Sequence, residues 1–397
     1  MANIVIYNDI AEKIQSGARL IRVADIVDED QVANISEGAI VQIRDQQNMF
    51  VAKAIVVKQN KGFAWVFTLE TFEYFDEAFI QNVIEVAIQK RMELFEDEET
   101  NSFRLFNGEG DGIGGLTIDW YNGFIQINWY SFALFNERDT IVETLKKVIP
   151  QLAGIYETKR YQVPEDDWKI KHTEGAAAPQ PLVIKENNVY YAVYLGEDWM
   201  TGIFLDQRHV REFIKTQAAD LSVLNLFSYT GAFSVAAAVG GAAKTVSVDV
   251  ANRSLDWTKE NFELNNISTD PEDHEIRVMD VFDYVAYAKR HELQFDMLVC
   301  DPPSFARTKK YQFSAEKNYK DLAVDLFDIT APGGMTILST NHSGYDLNDF
   351  RDDMISASKE ISDEIYLIQQ FELPSEDFKT TIDTESNYLK VLVFYRG

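Results

Sequence analysis

Leu221-Ser-Val-Leu-Asn225-Leu-Phe227-Ser-Tyr229-Thr-Gly231 is the stretch on which the reading of this chain turns. Residues 221–226 form an apolar run of the length of a buried strand. The run breaks at Ser228-Tyr-Thr-Gly231, and small residues follow as a helix, 232–240. A second apolar run, 245–250, carries an acid, Asp249, near its end. Strand, turn, helix and acid-tipped strand make one β-α-β unit, a nucleoside-binding plan. A later apolar strand, 295–300, stops at Asp301-Pro302-Pro303-Ser304-Phe305. Two prolines end a strand and stiffen the loop beyond it. The pairing of that corner with the first unit narrows the expectation to S-adenosylmethionine (SAM) and a methyl transfer.

Helices and strands alternate on either side of this stretch. The pattern predicts helix 206–219, helix 253–265, strand 275–279, helix 281–291, helix 316–331, strand 334–339, helix 346–360 and a closing strand pair, 364–373 and 388–395. Such alternation is an α/β architecture: a mostly parallel sheet covered on both faces. The N-terminal part reads differently. Strands at 39–44, 49–57 and 63–68 suggest a small β-rich module. An amphipathic helix, 76–95, leads to an α+β stretch with strands 103–105, 116–120, 124–130 and 154–158 and a helix 136–148. A hairpin, 181–185 with 189–195, turns at Glu186-Asn187-Asn188, and 171–180 reads as an exposed loop.

The chain has 397 residues, enough for two or three domains. No apolar run is long enough to span a bilayer, and the first residues have no basic, apolar leader pattern. A single cysteine, Cys300, excludes an internal disulfide and a cysteine-based zinc cluster, so a cytoplasmic protein without a metal is expected. A formal net charge of −27 argues against a nucleic-acid partner, although net charge describes the whole surface and not a site. Gly110-Asp-Gly112-Ile-Gly-Gly115 matches G-x-G-x-x-G, but a strand follows it where the dinucleotide fingerprint needs a helix. It reads as a glycine-rich strand connection.

Ligands of open α/β sheets sit beyond the carboxyl ends of the strands. Asn225, Phe227, Tyr229 and Gly231 lie there, and Gly231 permits a tight turn and close backbone approach. The loop has one glycine, where a pyrophosphate cofactor wants three. Asp249 is placed to accept from ribose hydroxyls; otherwise it is a helix cap or a surface acid. Asp280 is placed to accept from an adenine amino group, or to cap the helix that starts at Val281. Gln207 and Arg208 are candidates for the cofactor carboxylate, Arg208 as a fork donor. Asp301 can accept from an amino group or a base edge, and Phe305 offers a face to an unstacked base. Cys300, ending an apolar strand, is more often a small buried hydrophobe than a nucleophile. His342 follows the next strand and can be base, RNA contact or ordinary loop residue.

Taken together these residues resemble the family of bacterial 23S rRNA methyltransferases typified by the cytosine-5 enzyme RlmI, and the related guanine-7 domain, RlmK. Arg104 to Asp119 is similar to the family's central signature, and 202–208, Asn225 to Gly231, Asp301 to Phe305 and Asn318-Tyr-Lys-Asp321 follow in its order. The resemblance implies a PUA-like RNA-binding domain over 1–72, a central α+β domain over 73–196 and a Rossmann-like SAM-dependent methyltransferase domain over 197–397. It implies large-subunit ribosomal RNA as partner, no membrane, and a homodimer as an option. Lys159 and Arg160 become candidate RNA contacts. Where the cytosine-5 enzymes carry a cysteine in Ser-Cys-Ser-Gly, this chain has His342 in Asn-His-Ser-Gly344. A base nitrogen is therefore the expected acceptor. Two alternatives stay open: a methyltransferase for a small molecule or protein, and a SAM-binding ribosome-assembly factor without catalysis.

Overall fold

The structure is a computed structural model that describes residues 1–397 except 60–61, 308–310 and 362–363, with the backbone alone of Gln31. The chain packs as two units. The first comprises Met1–Leu182, Tyr194–Thr201 and Ser375–Asn387; the second comprises Val183–Val193, Gly202–Pro374 and Tyr388–Gly397.

In the first unit, β1 (Ala2–Val5), β2 (Leu20–Ile21), β3 (Ile40–Arg44), β4 (Phe50–Gln59) and β5 (Gly62–Thr68) form a sheet in the order β1-β3-β4-β5-β2. Helix α1 (Asn8–Gln15) accompanies it. A second sheet, β10-β9-β8-β7-β6, is built from β6 (Ser102–Asn107), β7 (Leu116–Tyr121), β8 (Phe124–Trp129), β9 (Gly154–Lys159) and β10 (Ile170–Gly175). Helices α2 (Glu77–Gln89), α3 (Met92–Phe95), α4 (Phe132–Phe135) and α5 (Arg138–Val148) belong to the same unit. Ile80, Ile84, Ala87 and Ile88 recur at helical spacing, which buries that face of α2.

Two local expectations change. The helix expected over 76–95 breaks after Gln89, because Arg91 is fully buried and its guanidinium donates to Ala87 O and Asp111. The stretch expected as a loop holds β10, paired antiparallel to β9 with a register shift between His172 and Glu174. Its polar sequence is that of an edge strand, which has no apolar period to read. The glycine-rich 110–115 stretch is a strand connection as expected: a tight 3-10 turn, Gly108–Asp111, opens the link between the antiparallel strands β6 and β7.

The second unit is organised by a seven-stranded sheet. Before it comes the hairpin β11 (Leu182–Glu186) and β12 (Val189–Val193). The sheet strands are β13 (Ser222–Leu226), β14 (Lys244–Asp249), β15 (His274–Val278), β16 (Phe295–Cys300), β19 (Thr330–Thr340), β20 (Ile365–Phe371) and β21 (Lys390–Arg396). Between β16 and β19 lies a ribbon of β17 (Phe305–Arg307) and β18 (Gln312–Ser314). The order is β15-β14-β13-β16-β19-β21-β20, parallel except for the pairings of β21. Helices are α6 (Arg208–Gln217), α7 (Ala232–Val239), α8 (Arg253–Leu264), α9 (Val281–Arg290), α10 (Ala315–Asp328) and α11 (Leu347–Ser358).

Strand alternation sorts the faces. Leu224, Leu226, Val246, Val248, Leu298, Cys300 and Leu338 share one core with α9, α10 and α11. The intervening Asn225 and Ser247 meet Ser234 of α7 on the opposite face. Chain order runs outward from β13 to β15, then returns through β16 to β19, so the switch point lies between β13 and β16. Among the described residues no helix is long and apolar enough to cross a membrane.

Candidate active site

The turn after β13 is held in an uncommon shape. Phe227 (φ 57°), Tyr229 (φ 52°) and Gly231 (φ 72°) all lie in the left-handed region. That costs about 1–2 kcal/mol for each non-glycine residue. The turn persists because its polar groups are tied down. Ser228 N donates to Val248 O at 3.0 Å and Gly231 N to Ser228 O at 2.7 Å. Tyr229 N donates to Asp249 Oδ2 at 2.9 Å, and Thr230 Oγ1 to Gly202 O at 2.7 Å. Asp249, the last residue of β14, also accepts from Ala251 N at 2.8 Å through Oδ1. Each carboxylate oxygen keeps a second lone pair for a ligand hydroxyl.

Gly231 has a packing reason beyond its φ. A Cβ there would meet Thr258 Cγ2 at 2.4 Å, so the close approach is to α8. Asn225 Oδ1, Ser228 Oγ and Gln207 Oε1 are buried without a hydrogen-bond partner at this edge of the sheet. Native proteins seldom leave such atoms unpaired, and a polar ligand would satisfy them. Asp280 Oδ1 accepts from Phe282 N at 3.0 Å and caps α9, so the capping role is realised. Phe227 and Phe282 stand edge to face at 6.4 Å just beyond it, an apolar rim for a ring.

The second cluster grows from β16 and β19. Gln207 Nε2 donates to Asp301 Oδ2 at 3.2 Å and to Ser339 Oγ at 2.8 Å. Burial pushes the Asp301 carboxyl up to about 6; the Ser339 hydroxyl opposes that, Asp206 adds to it, and Gln207 and Arg211 oppose it again. Phe305 is 68 % exposed, and its ring meets His342 edge to face at 5.4 Å. Ser304 Oγ donates to Asn341 Oδ1 at 2.9 Å, joining the two loops. Lys390 Nζ donates to His342 O at 2.8 Å from behind.

The expected residues thus fall into two groups at neighbouring strand ends, Leu226 of β13 lying opposite Cys300 of β16. Phe227, Tyr229, Gly231 and Asp249 form one, and Gln207, Asp301, Phe305 and His342 the other. Asn225 lies in β13 beneath the first, Asp280 tips the neighbouring strand, and Arg208 is buried in the turn that carries Gln207. Cys300 belongs to the core, and burial pushes its thiol up, away from thiolate character. Lys159 and Arg160 lie in the first unit. Lys159 is buried, bonded to Asp167 at 2.6 Å and stacked on Phe135 and Trp168, so it is a structural cation and not an open phosphate contact.

Sequence reasoning missed Tyr319. Its hydroxyl donates to Cys300 O at 2.7 Å and accepts from Ser339 N at 3.1 Å. Tyr319 was visible only as part of Asn318-Tyr-Lys-Asp321, and nothing local told that it would insert between two strand ends. It also missed the Arg211–Glu186 pair, bidentate at 2.6 and 2.8 Å and buried, which ties α6 to β11.

Comparison with known proteins gives the family of the fold. Residues 103–395 match the family model of S-adenosylmethionine-dependent methyltransferases, and residues 4–69 match a PUA-like domain. A Bacillus subtilis protein provisionally named ribosomal RNA large subunit methyltransferase YwbD is 45% identical over 393 residues, covering 97% of each chain. Ribosomal RNA large subunit methyltransferase I of Yersinia pseudotuberculosis is 31% identical over 364 residues, 89% of each. A solved methyltransferase in complex with SAH (SMU.776, a provisional assignment) superposes with a TM-score of 0.90 at 36% identity over the whole of both chains. A SAM-dependent methyltransferase of Streptococcus mutans, also provisionally assigned, gives 0.88 at 35% identity, again over both whole chains. The fold is that of a class of methyl-transferring enzymes. This chain belongs to the S-adenosylmethionine-dependent methyltransferase family, and its methyl donor is SAM.

Proposed function

We propose that the protein methylates a base of large-subunit ribosomal RNA in the cytoplasm, with a ring or amino nitrogen as acceptor. The observation that carries this reading is the placement of two clusters along one carboxyl edge. One is suited to a nucleoside and the other to a base. The substrate comes from the relatives' names, and the edge supplies the chemistry.

In this reading Asp249 receives the ribose hydroxyls, and Asp280 with Phe227 and Phe282 receives the adenine. Asn225, Ser228, Gln207 and Arg208 serve the methionine part. Bound SAM supplies an electrophilic methyl on a sulfonium. Methyl transfer of this kind gains most from holding the acceptor in line, so positioning is the main task of the protein. Phe305 and His342 present the base, and Asp301 accepts a hydrogen bond from its donor edge. Methylation of pyrimidine carbon 5 would need a nucleophile added to the ring first. Cys300, the one cysteine, is buried in the core, and the family resemblance matches His342 to the cysteine of the cytosine-5 enzymes, which favours a nitrogen lone pair.

The test is transfer of labelled methyl from SAM to rRNA isolated from a strain lacking this protein, followed by mass mapping of the modified nucleotide. A methylated base nitrogen in large-subunit rRNA is expected. Incorporation only into protein or small molecules, or none at all, would overturn the reading.

A further inference from the structure

The first unit carries an aromatic and cationic surface outside the methyl-transfer edge. Strands β8 and β9 run parallel, with Trp129 opposite Lys159. The chain therefore leaves both strands side by side, as Tyr130-Ser-Phe132 and as Arg160-Tyr161. Phe132 is 51 % exposed and meets the Tyr161 ring edge to face at 6.1 Å. Arg160 sits over the Trp199 ring at 5.3 Å, and Trp199 is 41 % exposed. Tyr130, 39 % exposed, adjoins them in the chain.

The charges here are unusual for so acidic a protein. Arg160 donates to Asn128 Oδ1 at 3.0 Å and to the Trp199 carbonyl, both neutral acceptors, and has no carboxylate partner among the described residues. The Tyr161 phenol is held protonated, first by burial and then by Asp167, Glu37 and Glu157. Those carboxylates disfavour a track of phosphates. Exposed aromatic faces with one guanidinium over a ring suit the faces of bases instead.

Resting on the RNA reading above, we propose that Phe132, Tyr161, Arg160 and Trp199 form a stacking platform for unpaired bases of single-stranded RNA. Sequence-specific RNA recognition uses aromatic and guanidinium planes in this way, and duplex RNA hides its bases from them. The platform selects an unpaired segment of the substrate, separate from the base that receives the methyl.

The full-length chain is tested with a single-stranded oligoribonucleotide and with a blunt duplex of equal length, beside the methylation assay. Trp199→Ala is expected to weaken single-strand binding about 10-fold, the scale of one lost stacked base. Trp199→Phe should restore most of the loss, and Trp199→Leu should not. Phe132→Ala, at an independent position, should weaken single-strand binding similarly while the melting temperature holds. Equal binding by Trp199→Ala and wild type, or rescue by leucine as good as by phenylalanine, overturns the platform. In that case wild-type methylation of rRNA leaves the proposed function standing. Wild-type protein that neither binds nor methylates RNA overturns both.

Discussion

Gly231→Ala is the substitution whose consequence the structure predicts most sharply. The residue has φ 72°, which an alanine adopts at a cost of about 1–2 kcal/mol. The new Cβ would stand 2.4 Å from Thr258 Cγ2, 2.9 Å from its Oγ1 and 3.1 Å from its Cβ. Relieving such an overlap in a packed interior costs about 1–3 kcal/mol. The sum, roughly 2–5 kcal/mol, is a drop of about 5–20 °C in the unfolding of the second unit. Thr258→Ala removes the two nearest atoms. Thr258 Oγ1 is buried without a partner, so its loss has little cost of its own. In the Gly231→Ala background it should return the packing part, about 1–3 kcal/mol, and leave the backbone part. Calorimetric melting of the four proteins gives the coupling, and SAM titration of each follows the cofactor. If glycine served only close approach of the cofactor, Gly231→Ala would lose SAM affinity at unchanged melting temperature, and Thr258→Ala would rescue nothing. That pattern refutes the packing account.

Asp249→Asn should weaken SAM binding by about 1.5–3 kcal/mol, since it removes charged acceptors and turns an amide toward the Tyr229 N–H; a change under threefold in titration calorimetry contradicts this. Asp301 is an acid whose folded-state value, about 6, lies above its ordinary value of 3.8. The folded protein therefore holds that proton more tightly, and its contribution to stability is present below pH 3.8 and lost as pH rises through 6. Asp301→Asn should remove that part of the pH dependence, raise the melting temperature at pH 7 and abolish methyl transfer; an unchanged pH profile argues against it. Glu186→Gln leaves Arg211 charged and buried, at a cost of about 3–5 kcal/mol, while Glu186→Gln with Arg211→Met should recover part of it in denaturant unfolding.

The second unit was the legible part of the sequence. Its central parallel strands are buried and read as apolar runs, so 221–226, 245–250 and 295–300 lie within a residue of the observed strands, whereas β19 begins at Thr330, four residues before the expected 334, because Ala331-Pro-Gly-Gly has no apolar run to read. The acids at strand tips were legible because an acid after an apolar run is conspicuous. Polar edge elements were not. β10 has a polar sequence and owes its conformation to β9. The break at Arg91 depends on acceptors at Ala87, Arg104 and Asp111, two of them supplied by later chain. Sequence read Gly231 as a tight turn with close backbone approach, and its φ of 72° is such a turn; its packing against Thr258 of α8, 27 positions on, was not legible. The separation of Lys159 from Arg160 was beyond reach as well, since adjacent strand residues face opposite ways and only the sheet decides which one meets Asp167.

Tyr319 has a consequence for how this enzyme can vary. One residue past the last paired position, Cys300 with Leu338, its hydroxyl stands in for a rung of the ladder. Tyr319 thereby ties together the two strand ends that lead to the Asp301 and His342 loops. Phenylalanine at 319 would strand a carbonyl and an amide at once. A substitution at 319 is therefore felt at both loops at once, through a side chain that α10 supplies from outside the sheet.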